Sequence, residues 1–168
     1  MRVIILSDTH GSLASAWLAL EEAGPVDFIV HAGDLYSDAG ELAEKTGLPF
    51  KAVRGNCDVM EDGPHQQVFE LGGHTFFLAH GHQGGGPGLW EKWLLERACR
   101  YQAKVAVYGH THRAVIAEQR GVLVINPGSI TLPRDGGPPS YCLLKITENF
   151  LEPQICRLKN RSGPGRRY

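Results

Sequence analysis

One local pattern recurs along this chain and constrains its fold more than any other feature. A short apolar run is closed, within a few residues, by a carboxylate, a carboxamide or an imidazole. Val3-Ile4-Ile5-Leu6 ends in Ser7-Asp8-Thr9-His10-Gly11, Phe28-Ile29-Val30 in His31-Ala32-Gly33-Asp34, and Phe50-Lys51-Ala52-Val53 in Arg54-Gly55-Asn56-Cys57-Asp58. A continuous β-branched run reads as a strand buried on both faces. Between these runs the spacing predicts two helices. The first is capped by Ser12, carries Leu13, Trp17 and Leu20 on one stripe, and stops at Gly24-Pro25. The second runs from about Ala39 to Thr46 and is stopped by Gly47 and Pro49. The alternation β-α-β-α-β argues for parallel strands joined by crossover helices.

The texture then changes. Residues 67–71 and 74–79 flank Gly72-Gly73 and read as a β-hairpin, whose second strand ends in His80-Gly81-His82. A glycine-rich connection at Gly84 to Gly88 leads to a helix over about Leu89 to Arg100. Val105-Ala106-Val107-Tyr108 follows and closes in Gly109-His110-Thr111-His112. The remainder is strand-like at 114–117, 122–125, 140–146 and 150–158, with turns at Asn126 to Ser129 and Asp135 to Pro139. The reading is one domain over 1–158 and a basic, frayed tail over 159–168.

Charge and composition exclude several classes of function. The formal net charge is -1, which gives no electrostatic case for nucleic acid or an anionic membrane as the main partner. No apolar stretch is long enough to span a bilayer, and the opening apolar run is too short for a signal peptide. Cys57, Cys99, Cys142 and Cys156 form no C-x-x-C pair. They read as reduced thiols in a cytoplasmic protein.

Ligands of open α/β sheets bind beyond the carboxyl ends of the strands. Neighbouring strands lie about 4.8 Å apart, so the loops after five runs can converge. They bring Asp8, His10, Asp34, Asn56, His80, His110 and His112. Alternation along a strand would point His110 and His112 to opposite faces unless the chain turns at once. Oxygen and imidazole donors together suit Mn, Fe, Co, Ni or Zn better than Ca or Mg. Seven donors exceed a tetrahedral zinc site and suit two metals sharing a carboxylate.

In order, Asp8-Thr9-His10, Gly33-Asp34, Gly55-Asn56-Cys57-Asp58, His80 and Gly109-His110-Thr111-His112 resemble the signature of the calcineurin-like metallophosphoesterases. That signature is D-x-H, G-D, G-N-[HC]-[DE], a histidine and G-H-x-H. The likeness covers about residues 1 to 130 and is similar to the small bacterial and archaeal phosphodiesterase branch. The resemblance implies an α/β fold: a two-sheet β-sandwich flanked by helices on both outer faces. It implies that Asp8, His10, Asp34 and His112 hold one metal. Asp34, Asn56, His80 and His110 hold the other, with Asp34 bridging. Two divalent transition-metal ions are expected, Mn first, with Ni, Zn, Fe and Co as alternatives.

The activity so implied is phosphodiester hydrolysis by attack of a metal-bound hydroxide on phosphorus. Two divalent ions, two carboxylates and that hydroxide leave a net charge of about +1, which attracts a diester monoanion. Asn56, Cys57 and Asp58 are the expected catalytic group. Cys57 departs from the family's more frequent histidine, whose usual role is to protonate the leaving group while the next acid orients it. A thiol near pKa ~8.5 is a poorer acid at neutral pH than an imidazole near ~6.5. Weak turnover of poor leaving groups and better turnover of aryl diesters follow.

Other residues have plainer readings. His31 is packed or supports a ligand, and His65 and His74 are exposed. His82 either touches a substrate phosphate or sits nearby by chance. The Gly84 to Gly88 segment lacks a G-K-[ST] ending and reads as a flexible connection. Trp90, Trp93 and Leu94 form a core or subunit-contact stripe, and Arg54 has a surface or salt-bridge role. The expected substrate is a small or exposed phosphodiester, with a homo-oligomer possible and no membrane partner. Two alternatives stand. One is a scaffold such as the retromer trafficking subunit that shares this fold, with little or no catalysis. The other is a phosphomonoesterase or nucleotidase on the same metals.

Overall fold

The structure, a computed structural model, describes residues 1–60, 62–86 and 88–159. In chain order the elements are β1 (Arg2–Leu6), α1 (Leu13–Ala23), β2 (Phe28–His31), α2 (Tyr36–Thr46), β3 (Phe50–Ala52), β4 (Gln66–Leu71) and β5 (His74–Ala79). A single 3-10 turn at His82–Gly84 follows. Then come α3 (Leu89–Arg100), β6 (Val105–Val107), β7 (Ala114–Gln119), β8 (Val122–Pro127), β9 (Ser140–Ile146) and β10 (Leu151–Arg157).

The strands form two five-stranded sheets, ordered β10-β9-β1-β2-β3 and β4-β5-β6-β8-β7. β1, β2 and β3 pair in parallel, as the β-α-β-α-β pattern required. β5, β6 and β8 do the same in the second sheet. Antiparallel strands close both edges of the second sheet and one edge of the first.

Alternation along β1 explains why its apolar run has no polar gap. Val3 and Ile5 point into the space between the sheets, with Val30, Phe76, Leu78, Val107 and Ile125. Ile4 and Leu6 point the other way, against α1 and α2. On the far side, Phe77, Ala79, Ala106 and Tyr108 pack against Leu94, Leu95 and Ala98 of α3. Helix, sheet, sheet and helix are thus stacked as the family resemblance implied.

Local details differ from the expectations. The innermost line of α1 is Ala16, Ala19 and Ala23, with Leu13, Trp17 and Leu20 half-buried beside it. Small residues let the helix axis approach the sheet. Ser12 occupies the N-cap position, but its hydroxyl meets Ser15 Oγ (3.1 Å) rather than a backbone N–H. α2 begins at Tyr36, not near Ala39, because Asp58 accepts the Tyr36 N–H from a distant loop (2.7 Å). His74 is half-buried rather than exposed, and Nε2 lies 3.4 Å from the Thr147 carbonyl. All four cysteines are free thiols. Of the tail expected to fray, Lys159 is described and donates its N–H to Glu22. The expectation for 160–168 lies outside the described residues.

Candidate metal centre

Because the strands before them run in parallel within each sheet, five loops leave the sandwich on one side. Asp8 and His10 follow β1, Asp34 follows β2 and Asn56 follows β3. His80 follows β5, and His110 and His112 follow β6. Backbone bonds stitch these loops together: Asp8 N to Gly33 O (2.9 Å), His10 N to Asp34 O (3.0 Å) and Gly109 N to His80 O (3.1 Å).

Five of the seven expected ligands hold a positive φ: Asp8 (55°), His10 (47°), Asp34 (51°), His110 (67°) and His112 (56°). A side-chain-bearing residue is strained there, by about 1–3 kcal/mol each, and such strain gathers at functional sites. The turn at His110 and again at His112 also answers the alternation problem, since it removes the strand geometry that would separate them. Two glycines are required by close approach. A Cβ at Gly55 would run into the Asp34 carboxylate, and one at Gly109 into Ser7 Oγ and the Asp8 carboxylate.

The donor atoms fall into overlapping groups. His112 Nε2 lies 3.1 Å from Asp8 Oδ1 and 3.4 Å from His10 Nε2. His80 Nε2 lies 3.4 Å from Asp34 Oδ2 and 3.2 Å from Asn56 Oδ1. Asp34 Oδ2 is also 4.0 Å from His10 Nε2. The His110 ring packs edge-on against His80 at 5.2 Å between centroids. Among the described residues, three groups place their donor atoms close enough together to hold a metal ion: Asp8, His10 and His112; Asp8, Asp34 and His80; and His10, Asp34 and Cys57.

The supporting bonds show that the rings are set to donate. His80 Nδ1 lies 2.6 Å from the Ala32 carbonyl and His112 Nδ1 2.7 Å from the Leu132 carbonyl. A carbonyl only accepts, so Nδ1 carries a proton in each ring and Nε2 is the nitrogen turned toward the cluster. Burial alone would raise the Asp34 carboxyl, but His80's hydrogen bond and charge outweigh it and hold it below the usual carboxylate range. His80 shifts up although burial opposes this, through its bond to Asp34 and the charge of Asp8. The hydrogen bond to Asp8 raises His112 as well, against burial. The carboxylates therefore draw positive charge to this spot, and the borderline N/O donors fit divalent transition metals.

The other expected catalytic residues are placed differently from one another. Cys57 is exposed at the rim, with its N–H donated to Asp34 Oδ1 (2.9 Å). Its thiol is pushed up to about 11 by partial desolvation against the cleft wall and by the charge of Asp34. Asp58 is buried, and its oxygens accept the backbone N–H groups of Gly55 (2.6 Å), Tyr36 (2.7 Å) and Asp34 (3.3 Å). It positions two loops. His31 is fully buried between Thr9 and Gly33, and burial pulls it down to about 4. His82 packs against His80 (5.3 Å) and His110 (6.2 Å). Arg54 meets exposed His65 through Nη2 (2.6 Å).

Asn126, expected only as part of a turn, holds the histidine loop. Its Nδ2 donates to Gly109 O (2.9 Å) and Thr111 Oγ1 (3.0 Å). The hydroxyls of Ser129 (3.1 Å) and Thr131 (2.8 Å) donate to Asp8 O. An asparagine ending a strand of low-asparagine propensity was the available signal.

The profile of the calcineurin-like phosphoesterase superfamily domain matches residues 1–149. The chain belongs to this superfamily. A probable metallophosphoesterase of Mycoplasma pneumoniae is 38% identical over 153 residues, covering 88% of this chain and 91% of that protein. Phosphodiesterase YfcE of Escherichia coli is 36% identical over 171 residues, with 86% and 87% covered. A predicted phosphoesterase from Streptococcus pneumoniae TIGR4 superposes with a TM-score of 0.75 at 26% identity, covering 95% of this chain and 93% of that one. The superfamily is metal-dependent, and side chains able to serve as metal ligands are gathered here.

Proposed function

We propose that this phosphoesterase hydrolyses phosphodiesters with two divalent transition-metal ions, Mn being the expected metal. The observation that carries the reading is the place of Asp34, whose Oδ2 lies 3.4 Å from His80 Nε2 and 4.0 Å from His10 Nε2. Asp8, His10 and His112 would hold one ion and Asn56, His80 and His110 the other, with Asp34 shared. The name of the YfcE relative supports the diester preference. When bound, such ions supply Lewis acidity and lower the pKa of coordinated water toward ~7.

The chain's own part is orientation and proton supply. The Ala32 and Leu132 carbonyls fix the tautomers of His80 and His112. A cleft of about 170 Å³ is lined by His10, Asp34, Asn56, Cys57, His110, His112, Leu132 and Arg134, room for a phosphoryl group with its substituents outside. Cys57 offers an S–H at the rim, a weak acid for a departing alkoxide. Aryl diesters, which leave without a proton, are therefore the favoured substrates.

The test is Asp34→Ala, with metal stoichiometry measured by calorimetry and turnover on bis(4-nitrophenyl) phosphate. Both must be lost; full activity overturns the mechanism. Cys57 also supports a second reading, a weakly active protein-binding scaffold. Metal binding without hydrolysis of any ester in a diester and monoester panel would favour it.

A further inference from the structure

We propose that a second anion-binding subsite lies beside the metal centre, between Arg113 and Arg134, and selects phosphodiesters that carry another phosphate on one ester arm. This rests on the phosphodiesterase reading and names its substrate class. A cavity of about 510 Å³ is lined by residues including Gly85, Trp90, Glu91, His110, Arg113 and Arg134. It shares His110 and Arg134 with the cleft of about 170 Å³ over the ligand cluster, so the two are contiguous. The smaller cleft suits a phosphoryl group. The larger space matches a nucleotide-sized substituent.

The backbone that carries the two arginines is held in place. Arg134 donates its N–H to the His112 carbonyl (2.9 Å), and Arg113 donates its N–H to Thr111 Oγ1 (3.4 Å). Asp135, next to Arg134, accepts the N–H of Ala114, next to Arg113 (3.0 Å). One carboxylate thus laces the two arginine-bearing segments together. Arg134 also lines the cleft over the ligand cluster together with His110 and His112, which places it near the reacting centre.

The same carboxylate is unavailable to neutralise them. Asp135 is held by Arg157 through two contacts (2.7 and 3.0 Å) and by the Gly137 N–H (3.2 Å). Among the described residues, the Arg113 and Arg134 side chains are exposed and make no ion pair or hydrogen bond. Glu91 is the one carboxylate among the lining residues and stands on the first turn of α3. Two positive groups against one negative leave an attraction for an anion beside, and separate from, the metals. Arginine pairs with phosphate in a fork of charge-assisted bonds, which a phosphate-free substituent cannot use.

The experiment compares two substrates that differ only in that phosphate: thymidine 5′-(4-nitrophenyl phosphate) and its 3′-phosphorylated counterpart. With Mn-loaded wild type, kcat/KM for the 3′-phosphorylated ester should be about tenfold higher or more, the size of one good guanidinium–phosphate pairing. In Arg113→Ala/Arg134→Ala the ratio should fall to about one, and lysine at both positions should restore part of it. A wild-type ratio near one, or a ratio unchanged in the double alanine variant, overturns the subsite. If wild type binds Mn but cleaves neither ester, the diesterase reading fails separately. Calorimetry with thymidine 3′,5′-bisphosphate then decides the subsite: weaker binding by the double variant upholds it, and equal binding rejects it.

Discussion

Asp58→Asn gives the sharpest quantitative test of how the loops are held. Asp58 is 5% exposed and spends Oδ2 on the N–H groups of Gly55 (2.6 Å) and Asp34 (3.3 Å), and Oδ1 on that of Tyr36 (2.7 Å). Asparagine has nearly the same shape but a single acceptor. If its oxygen serves Gly55 and Asp34, its NH₂ faces the Tyr36 N–H, and the first turn of α2 loses its anionic partner. One charge-assisted bond lost costs about 1.5–3 kcal/mol, and weakening the other two adds about 1 kcal/mol. With a urea m-value of about 2 kcal/mol/M, the unfolding midpoint should drop by about 1.2–2 M. The bonds fix the backbone of Asp34 and the loop of Asn56, so Mn affinity should fall about 10–100-fold. The assays are urea denaturation in chelator and calorimetric Mn titration. A midpoint within roughly 0.3 M of wild type with unchanged affinity would refute the positioning role. Lower turnover with both intact would instead return Asp58 to orienting the group at position 57.

Three further outcomes are expected. Gly109→Ala should fold but bind Mn at least about tenfold more weakly, because the new methyl collides with Ser7 and Asp8 at the base of the histidine loop; unchanged calorimetry would show that the loop has slack. His31 is neutral in the fold, its Nδ1 accepting the Gly33 N–H (3.2 Å), and its pKa of about 4 lies below the ordinary 6.5. The unfolded chain thus binds more protons between these values. Stability falls as pH drops from about 6.5 to about 4, by up to about 3 kcal/mol from this residue. His31→Gln should flatten that limb in urea midpoints at pH 7 and 4.5, and an identical pH dependence would reject the assignment. Cys57→His should raise turnover of alkyl diesters about tenfold or more while changing aryl diesters little; no gain means that no acid at this position is needed.

The strands and the site were legible for a shared reason. Apolar runs such as Val3-Ile4-Ile5-Leu6 mark strands filled on both faces, and ligand chemistry at their ends marks where a parallel sheet presents its loops. The stacking of two sheets was not in the periodicity and came from the family resemblance. It depends on packing between the sheets, such as Val3 and Ile5 with Phe76 and Val107, which no local pattern announces. The start of α2 was misread because its first N–H is satisfied by Asp58, far along the chain. Asn126, Ser129 and Thr131 were invisible for the same reason: their partners are Gly109, Thr111 and Asp8. Residues whose own side chain does the chemistry leave a motif, and those that hold a distant backbone do not.

The measurement that bears most directly on the whole account is an anomalous difference map from crystals grown with MnCl₂. Two peaks should appear, one among Asp8, His10 and His112 and one among Asn56, His80 and His110, with Asp34 touching both. A map with no manganese among these seven side chains, from protein that still cleaves bis(4-nitrophenyl) phosphate, would contradict it.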